Sequence, residues 1–377
     1  MTRIWIRVFF AVSILLLPIT SGCSNSTVTN SINGIPASSL EANKIDLDFN
    51  SILYYITLEN DELIYAKYNV NSINYIQRCS NGEIITIGDT YNFLMSMKQS
   101  AFCYPYLYFY VSKYDEDANH TINDLIRINV KSHRLDSFVH KDSSIPGIST
   151  YLFNGKIVTI KNILTNDSTI TYIDCFNIDT YDWSKHMECT INNISGQGEA
   201  IYGICANKQN LFVLHDICDS RDNFKSYLEV LDTNFQIVKT IEIEDSLHDY
   251  VLTSFLSDMQ AYEDYIYFYN ASNYGLLARV ENDRLKEIYK NRNFEMAGNT
   301  SSDQPIFYIR RTNSIYIFDD KNGSLTEVTL SVKNGYTIKT ILCDSDSCFI
   351  VFISDDSPDY AYLIEKDKIA CYTFPCE

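Results

Sequence analysis

Asp264-Tyr265-Ile266-Tyr267-Phe268-Tyr269, then Leu276-Leu277-Ala278-Arg279-Val280, then Leu285-Lys286-Glu287-Ile288-Tyr289 is the stretch whose reading decides the fold. Aromatic and branched aliphatic side chains dominate each run, and such residues fit a pleated, half-buried surface. Between the last two runs lies Glu281-Asn282-Asp283-Arg284. Asn and Asp accept the positive φ of a tight hairpin, so this spacing predicts an antiparallel meander.

The same unit recurs outward in both directions. Ile52–Thr57 precedes Leu63–Tyr68 and Ile73–Gln77; Tyr106–Val111 precedes Leu125–Val130 and Leu135–Val139. Lys156–Ile160, Leu211–Leu214, Ile306–Ile309 and Phe349–Ile353 each open a further copy. With Leu63, Leu125, Ile173, Leu228, Leu277, Ile315 and Tyr362 as markers, the steps are 62, 48, 55, 49, 38 and 47 residues. An additional apolar segment stands before several units, at Phe93–Met97, Ser149–Phe153, Ile201–Cys205, Val251–Leu256 and Thr337–Leu342. Each unit then has four strands.

A lone four-stranded sheet exposes two faces and two edges, and radial packing covers the faces and leaves only short edges. The expected fold is therefore all-β: a β-propeller of four-stranded blades, seven in number, with six or eight as alternatives. Tandem β-sandwiches are the competing architecture, but no Pro-, Gly- or Ser-rich linker interrupts the chain after about Ser39. Lys44–Phe49 is expected either to supply the inner strand of the first blade or to complete the last.

The N-terminus gives an address. Arg3 and Arg7 flank a basic start, and the apolar stretch Val8–Ile19 is too short to span a bilayer, which needs about 20 residues. Thr20-Ser21-Gly22-Cys23 follows. Small residues before a cysteine resemble the lipobox of bacterial lipoproteins, although Thr20 stands where that family usually has Leu. The resemblance implies lipidation at Cys23 and cleavage just before it. Residues 1–22 then form a signal peptide, the polar, uncharged residues from Ser24 on lie in a flexible tether over 23–42, and 43–377 forms the propeller domain. The blade strings, including Leu125-Ile126-Arg127-Ile128-Asn129 and Leu277-Ala278-Arg279-Val280, resemble those of Gram-positive lipoproteins that carry a degenerate propeller. That resemblance implies architecture and no activity.

The formal net charge is −18, and removal of Arg3 and Arg7 would leave the remainder more acidic still. Such a surface repels phosphate backbones, so nucleic acid is excluded as a partner. It also disfavours adhesion to anionic lipid heads, which leaves membrane attachment to the acyl anchor. Ten cysteines remain besides Cys23. Four neighbouring pairs are disulfide candidates in an extracytoplasmic compartment: Cys175 with Cys189, Cys205 with Cys218, Cys343 with Cys348, and Cys371 with Cys376. Free buried thiols are the alternative.

No motif fixes a reaction. There is no CxxC, no histidine at ligand spacing, no Gly-x-Ser-x-Gly and no phosphate loop, so no catalytic residue, cofactor or metal is expected. His120, His133, His140, His186, His215 and His248 each read as surface or satisfied residues. The acidic runs around Asp115, Asp219, Asp346 and Asp355 lack the Asp-x-Asp-x-Asp-Gly form that calcium loops use. Tyr104, Tyr106, Tyr108 and Tyr110 alternate along one strand, and such rings either pack between blades or stack a ligand. The expected function is a membrane-anchored, extracytoplasmic binding or scaffold module for a protein, peptide or glycan. The alternative is a cell-envelope enzyme acting on polysaccharide through carboxylates at the channel.

Overall fold

In the computed structural model the described residues are the short strands within residues 40–86 and, apart from brief loop segments, residues 101–376. The signal peptide, Cys23, most of the tether, the Phe93–Met97 segment and parts of the acidic runs (Glu116, Asp117, Asp222, Asp344 and Asp356) lie outside them.

Strand follows strand as antiparallel meanders. Ile52–Glu59, Glu62–Asn69, Ile73–Ser80 and Glu83–Thr86 form the first sheet; Ala101–Cys103, Tyr106–Asp115, His120–Asn129 and Leu135–His140 form the second. The third runs from Ile145–Phe153 to Trp183–Asn192 and the fourth from Gly198–Ala206 to Ile237–Glu242. A single residue pair, Ile191 with Gly198, joins them edge to edge. The fifth spans Asp258–Tyr262 to Arg284–Arg292, and the sixth Phe294–Asn299 to Ser324–Thr329. The seventh is built from Thr337–Cys343, Ser347–Ile353 and Tyr360–Glu365. Its fourth, outer strand comes from the other end of the chain: Lys44 and Ile45 pair with Tyr362 and Ala361. Of the two placements expected for Lys44–Phe49, the described residues Lys44 and Ile45 take the one that completes the last sheet, and residues 46–49 lie outside the described residues.

Shared cores show how the sheets are arranged. Phe176 and Ile157 of the third sheet pack on Tyr108 and Leu125 of the second. Val158 and Ile173 meet Ile204 and Val213 across the third and fourth. Phe212 and Leu228 meet Ile266 and Phe268 across the fourth and fifth. Tyr267 and Leu277 meet Phe294 and Phe307 across the fifth and sixth, and Ile306 and Tyr308 meet Ile338 and Ile350 across the sixth and seventh. The first strands of sheets two and three, three and four, four and five, and six and seven lie side by side, and the first strand of the seventh sheet lies beside Ile52–Glu59 of the first. Successive four-stranded antiparallel sheets packed face to face, with first strands inward and side by side, are the arrangement of a β-propeller. Tandem sandwiches would give separate paired cores instead.

Two sequence expectations change, and a third falls mostly outside the described residues. Of Val251–Leu256, expected as a strand, Val251 ends the helix Asp245–Val251, residues 252–256 lie outside the described residues, and the fifth sheet starts at Asp258. Leu247 and Val251 are buried in the wedge between sheets four and five. Leu40–Glu41, placed in the tether, pair in parallel with Tyr372 and Thr373. Of the four cysteine pairs, Cys343 and Cys348 are bonded, because they face each other across the end of a hairpin. Cys175, Cys189, Cys205, Cys218, Cys371 and Cys376 are thiols. Register explains the first two pairs: Cys189 lies opposite Thr171 and not Cys175, and Cys218 lies opposite Gly198 while Cys205 lies opposite Phe212. Four or seven positions along a strand amount to roughly 13–23 Å, beyond disulfide reach. Cys371 and Cys376 are kept apart by the strand Tyr372–Phe374 between them.

Candidate functional site

The joint between the third and fourth sheets concentrates reactive side chains. Gly198 makes the joint possible. Its φ is +130°, and a Cβ there would meet the carbonyl oxygen of Thr190 at 2.1 Å. With glycine in place, the chain turns directly from one sheet into the next and brings Glu199 beside Cys189.

His215 completes the group from the adjacent strand. It lies opposite Ile201 on one side and Tyr227 on the other. Glu199 and Glu229 are each two positions further along those strands, so both reach the imidazole as diagonal neighbours. A Glu199 oxygen lies 3.5 Å from His215 Nε2, and a Glu229 oxygen lies 3.6 Å from Nδ1. The Thr240 hydroxyl donates to the second Glu229 oxygen at 2.6 Å. The Cys189 sulfur, a Glu199 oxygen and a His215 nitrogen all fall within 4.8 Å of one another, the one group of three such donors among the described residues. The His215 side chain is 8% exposed, and neither ring nitrogen has a hydrogen-bond partner. Burial, with Glu199, Glu229 and Glu188 adding negative potential, pushes the Cys189 thiol up to about 12.

Sequence reading passed over this group. Its members come from four strands at separations that match no ligand motif, and His215 read as a satisfied residue. The one available signal was the strand pairing itself, which places His215 between the two glutamates.

Just beyond the cluster, one rim of the ring is raised. The middle hairpins of the second, third and fourth sheets use strands of 9 or 10 residues. Those of the sixth and seventh sheets use 5 to 7. At about 3.3 Å per residue the longer hairpins stand roughly 10 Å higher. Their tips carry exposed apolar side chains: Leu164 in the third sheet, Ile217 and Phe224 in the fourth, and Ile194 in the turn between them, which is 69% exposed. That turn is held in place, because Asn193 donates to Thr165 O at 3.1 Å and accepts from the Thr169 hydroxyl at 2.8 Å.

The other candidates find internal partners. Tyr108 is buried, and the Tyr106 ring lies 4.5 Å from the Arg127 guanidinium, which pairs with Asp136 at 2.7 Å. Tyr110 packs near Trp183, and Tyr104 is exposed. His186 stacks on Phe235 at 4.2 Å. Among described side chains, the first strands of the sheets bring two carboxylates, Glu199 and Glu295, on non-adjacent sheets. Glu295 is engaged by Arg310, by Tyr308 at 2.8 Å and by Tyr269 at 3.0 Å. These contacts hold it as a brace between sheets five and six. Burial raises Asp216, next to His215, to about 6.

No helix among the described residues is long and apolar enough to cross a membrane. No protein-family model and no curated protein matches the chain. Similar solved structures include the acylaminoacyl peptidase of Pyrococcus horikoshii: identity is 13%, the match covers 70% of this chain and 44% of that one, and the TM-score is 0.45. The β-propeller domain of the Trilobed protease from Pyrococcus furiosus, which has an open velcro topology, matches at 11% identity. That match covers 71% of this chain and 79% of that one, with a TM-score of 0.46. A puromycin-hydrolyzing peptidase of Mycobacterium tuberculosis matches at 8% identity over 87% of this chain and 55% of its own, with a TM-score of 0.47. The chain thus spans less than half of the first of these peptidases.

Proposed function

We propose that this chain is an extracytoplasmic lipoprotein, tethered through Cys23, whose propeller binds a partner protein at its raised rim. The observation that carries the reading is the crown of long hairpins on sheets two to four, tipped by Leu164, Ile194, Ile217 and Phe224. Loops on a rigid scaffold are the usual place for recognition, and four exposed apolar side chains on one rim of an acidic protein suit an interaction site. Tips that are aliphatic apart from Phe224 favour a protein surface over a glycan, which is bound by several aromatic platforms and converging polar groups. The basic start, the short apolar stretch and the small residues before Cys23 support the tether.

The test is crosslinking of intact cells followed by purification of the full chain from membranes, comparing wild type, Cys23→Ala and a double variant Leu164→Asp with Ile194→Asp. Both tip residues are exposed, so the double variant keeps the fold. The expected result is a crosslinked protein lost by about tenfold or more in the tip variant, with Cys23→Ala shifted out of the membrane fraction. Tenfold corresponds to about 1.4 kcal/mol of binding. A crosslinked set indifferent to the tips would refute recognition by the crown, and Cys23→Ala remaining membrane-bound would refute the anchor.

A further inference from the structure

We infer that Cys189, Glu199 and His215 form a binding site for a zinc-class divalent transition metal, with Glu229 as the outer partner of the histidine. Three features carry this. First, the donor set is a thiol, an imidazole and a carboxylate, a combination that suits zinc and its neighbours rather than calcium or magnesium, which take oxygen ligands.

Second, the spacing fits. A tetrahedral ion with bonds of about 2.0–2.3 Å holds its ligand atoms about 3.3–3.8 Å apart. The Glu199 oxygen and His215 Nε2 are already 3.5 Å apart, and all three donors lie within 4.8 Å. Small rotations of Cys189 and Glu199 would close the shell. Third, His215 is more than nine-tenths buried, and neither ring nitrogen makes a hydrogen bond. A buried ring nitrogen whose nearest oxygen is too far for a hydrogen bond costs free energy, and a metal on Nε2 would remove that cost.

The surroundings complete the arrangement. Metal-bound histidines regularly donate their other ring N–H to a carboxylate, which fixes the tautomer. Glu229 stands beside Nδ1 and is itself held by Thr240. Binding converts the Cys189 thiol to a thiolate bonded to the ion, and the proton leaves to solvent. Once the thiolate forms, it and the two carboxylates stand around a neutral imidazole, and the dication offsets that charge. The protein supplies three ligands, so the fourth position remains for water or an external donor. It opens toward solvent, since the Glu199 side chain is 52% exposed. The inference is independent of what the crown binds.

The experiment uses the full chain purified in detergent and stripped with a chelator, titrated with Zn2+ and separately with Co2+. The expected result is one saturable equivalent, a thiolate-to-cobalt charge-transfer band in the near ultraviolet, and zinc-edge X-ray absorption with one sulfur at about 2.3 Å. Glu199→Gln, at a half-exposed position, should weaken binding by about tenfold or more, and Cys189→Ser should abolish the band. No saturable binding to the stripped protein, or a zinc shell of nitrogen and oxygen alone, would overturn the inference. Unchanged affinity in Glu199→Gln would do so as well. The absorption measurement is made on wild type, so it decides the matter even if Cys189→Ser does not fold.

Discussion

Asp174→Ala is expected to lower the unfolding free energy by about 3–5 kcal/mol, the range for removing one partner of a buried ion pair. Asp174 lies 3.0 Å from the ammonium of Lys161, and the two side chains are 1% and 0% exposed. The pair sits on adjacent strands of the third sheet, two positions apart in register. The rings of Trp183 and Tyr110 face the ammonium at 5.2 and 5.5 Å. The substitution leaves an ammonium in that interior with its carboxylate gone, and cation–π contacts replace only a fraction of the lost interaction. A double substitution, Lys161→Met with Asp174→Leu, should recover most of the loss, because replacing a buried pair with apolar groups of similar volume is often close to neutral. Urea unfolding of the three variants checks both statements. A single variant within about 1 kcal/mol of wild type would show that water reaches the pair in the native state.

Phe294→Ala is expected to cost about 3–5 kcal/mol, as large-to-small changes at aromatic core positions do. Phe294 is fully buried where the fifth and sixth sheets meet. Its ring stacks on Phe307 at 4.7 Å and meets Tyr289 at 4.7 Å and Tyr267 at 6.0 Å. The surroundings cannot collapse into the space, because the backbone there is already in close contact: a Cβ on Gly275 would meet the Phe294 carbonyl at 2.1 Å. Phe294→Leu should cost clearly less, since it keeps most of the volume. The midpoint of thermal unfolding separates the two variants, and equal losses would mean that ring packing contributes little at this joint.

How much was legible follows from which interactions are local. The meanders were readable because each hairpin is specified by neighbours in sequence, as in Tyr265–Tyr269 with Tyr274–Glu281. The phase of the first unit was not. Ile52–Thr57 has the composition of a second strand, yet it is the first strand of its sheet, and a fourth strand follows at Glu83–Thr86. Alternation alone does not say where a meander begins. The cluster around His215 was illegible for a related reason. Its donors are brought together by register across four strands and by one glycine with positive φ, whereas metal motifs are recognised only when their ligands are close in sequence. For the tyrosine row, alternation left packing and ligand stacking both open; the structure buries Tyr108 and packs Tyr110 near Trp183, while Tyr104 is exposed.

The pairing of residues 44–45 with the seventh sheet closes that sheet from the N-terminal side, and a single crosslink tests it. Ile45 and Ala361 are directly opposite in an antiparallel pair, and Cα atoms in such pairs lie about 4.5–5.5 Å apart, within disulfide range. In the double variant Ile45→Cys with Ala361→Cys, mild oxidation of the folded protein should join the two positions. Peptide masses identify that link among the native thiols. A 45–361 link in high yield is the predicted result. Recovery of position 45 as a free thiol, or linked to a residue of the first sheet, would contradict closure through the seventh sheet and the propeller arrangement built on it.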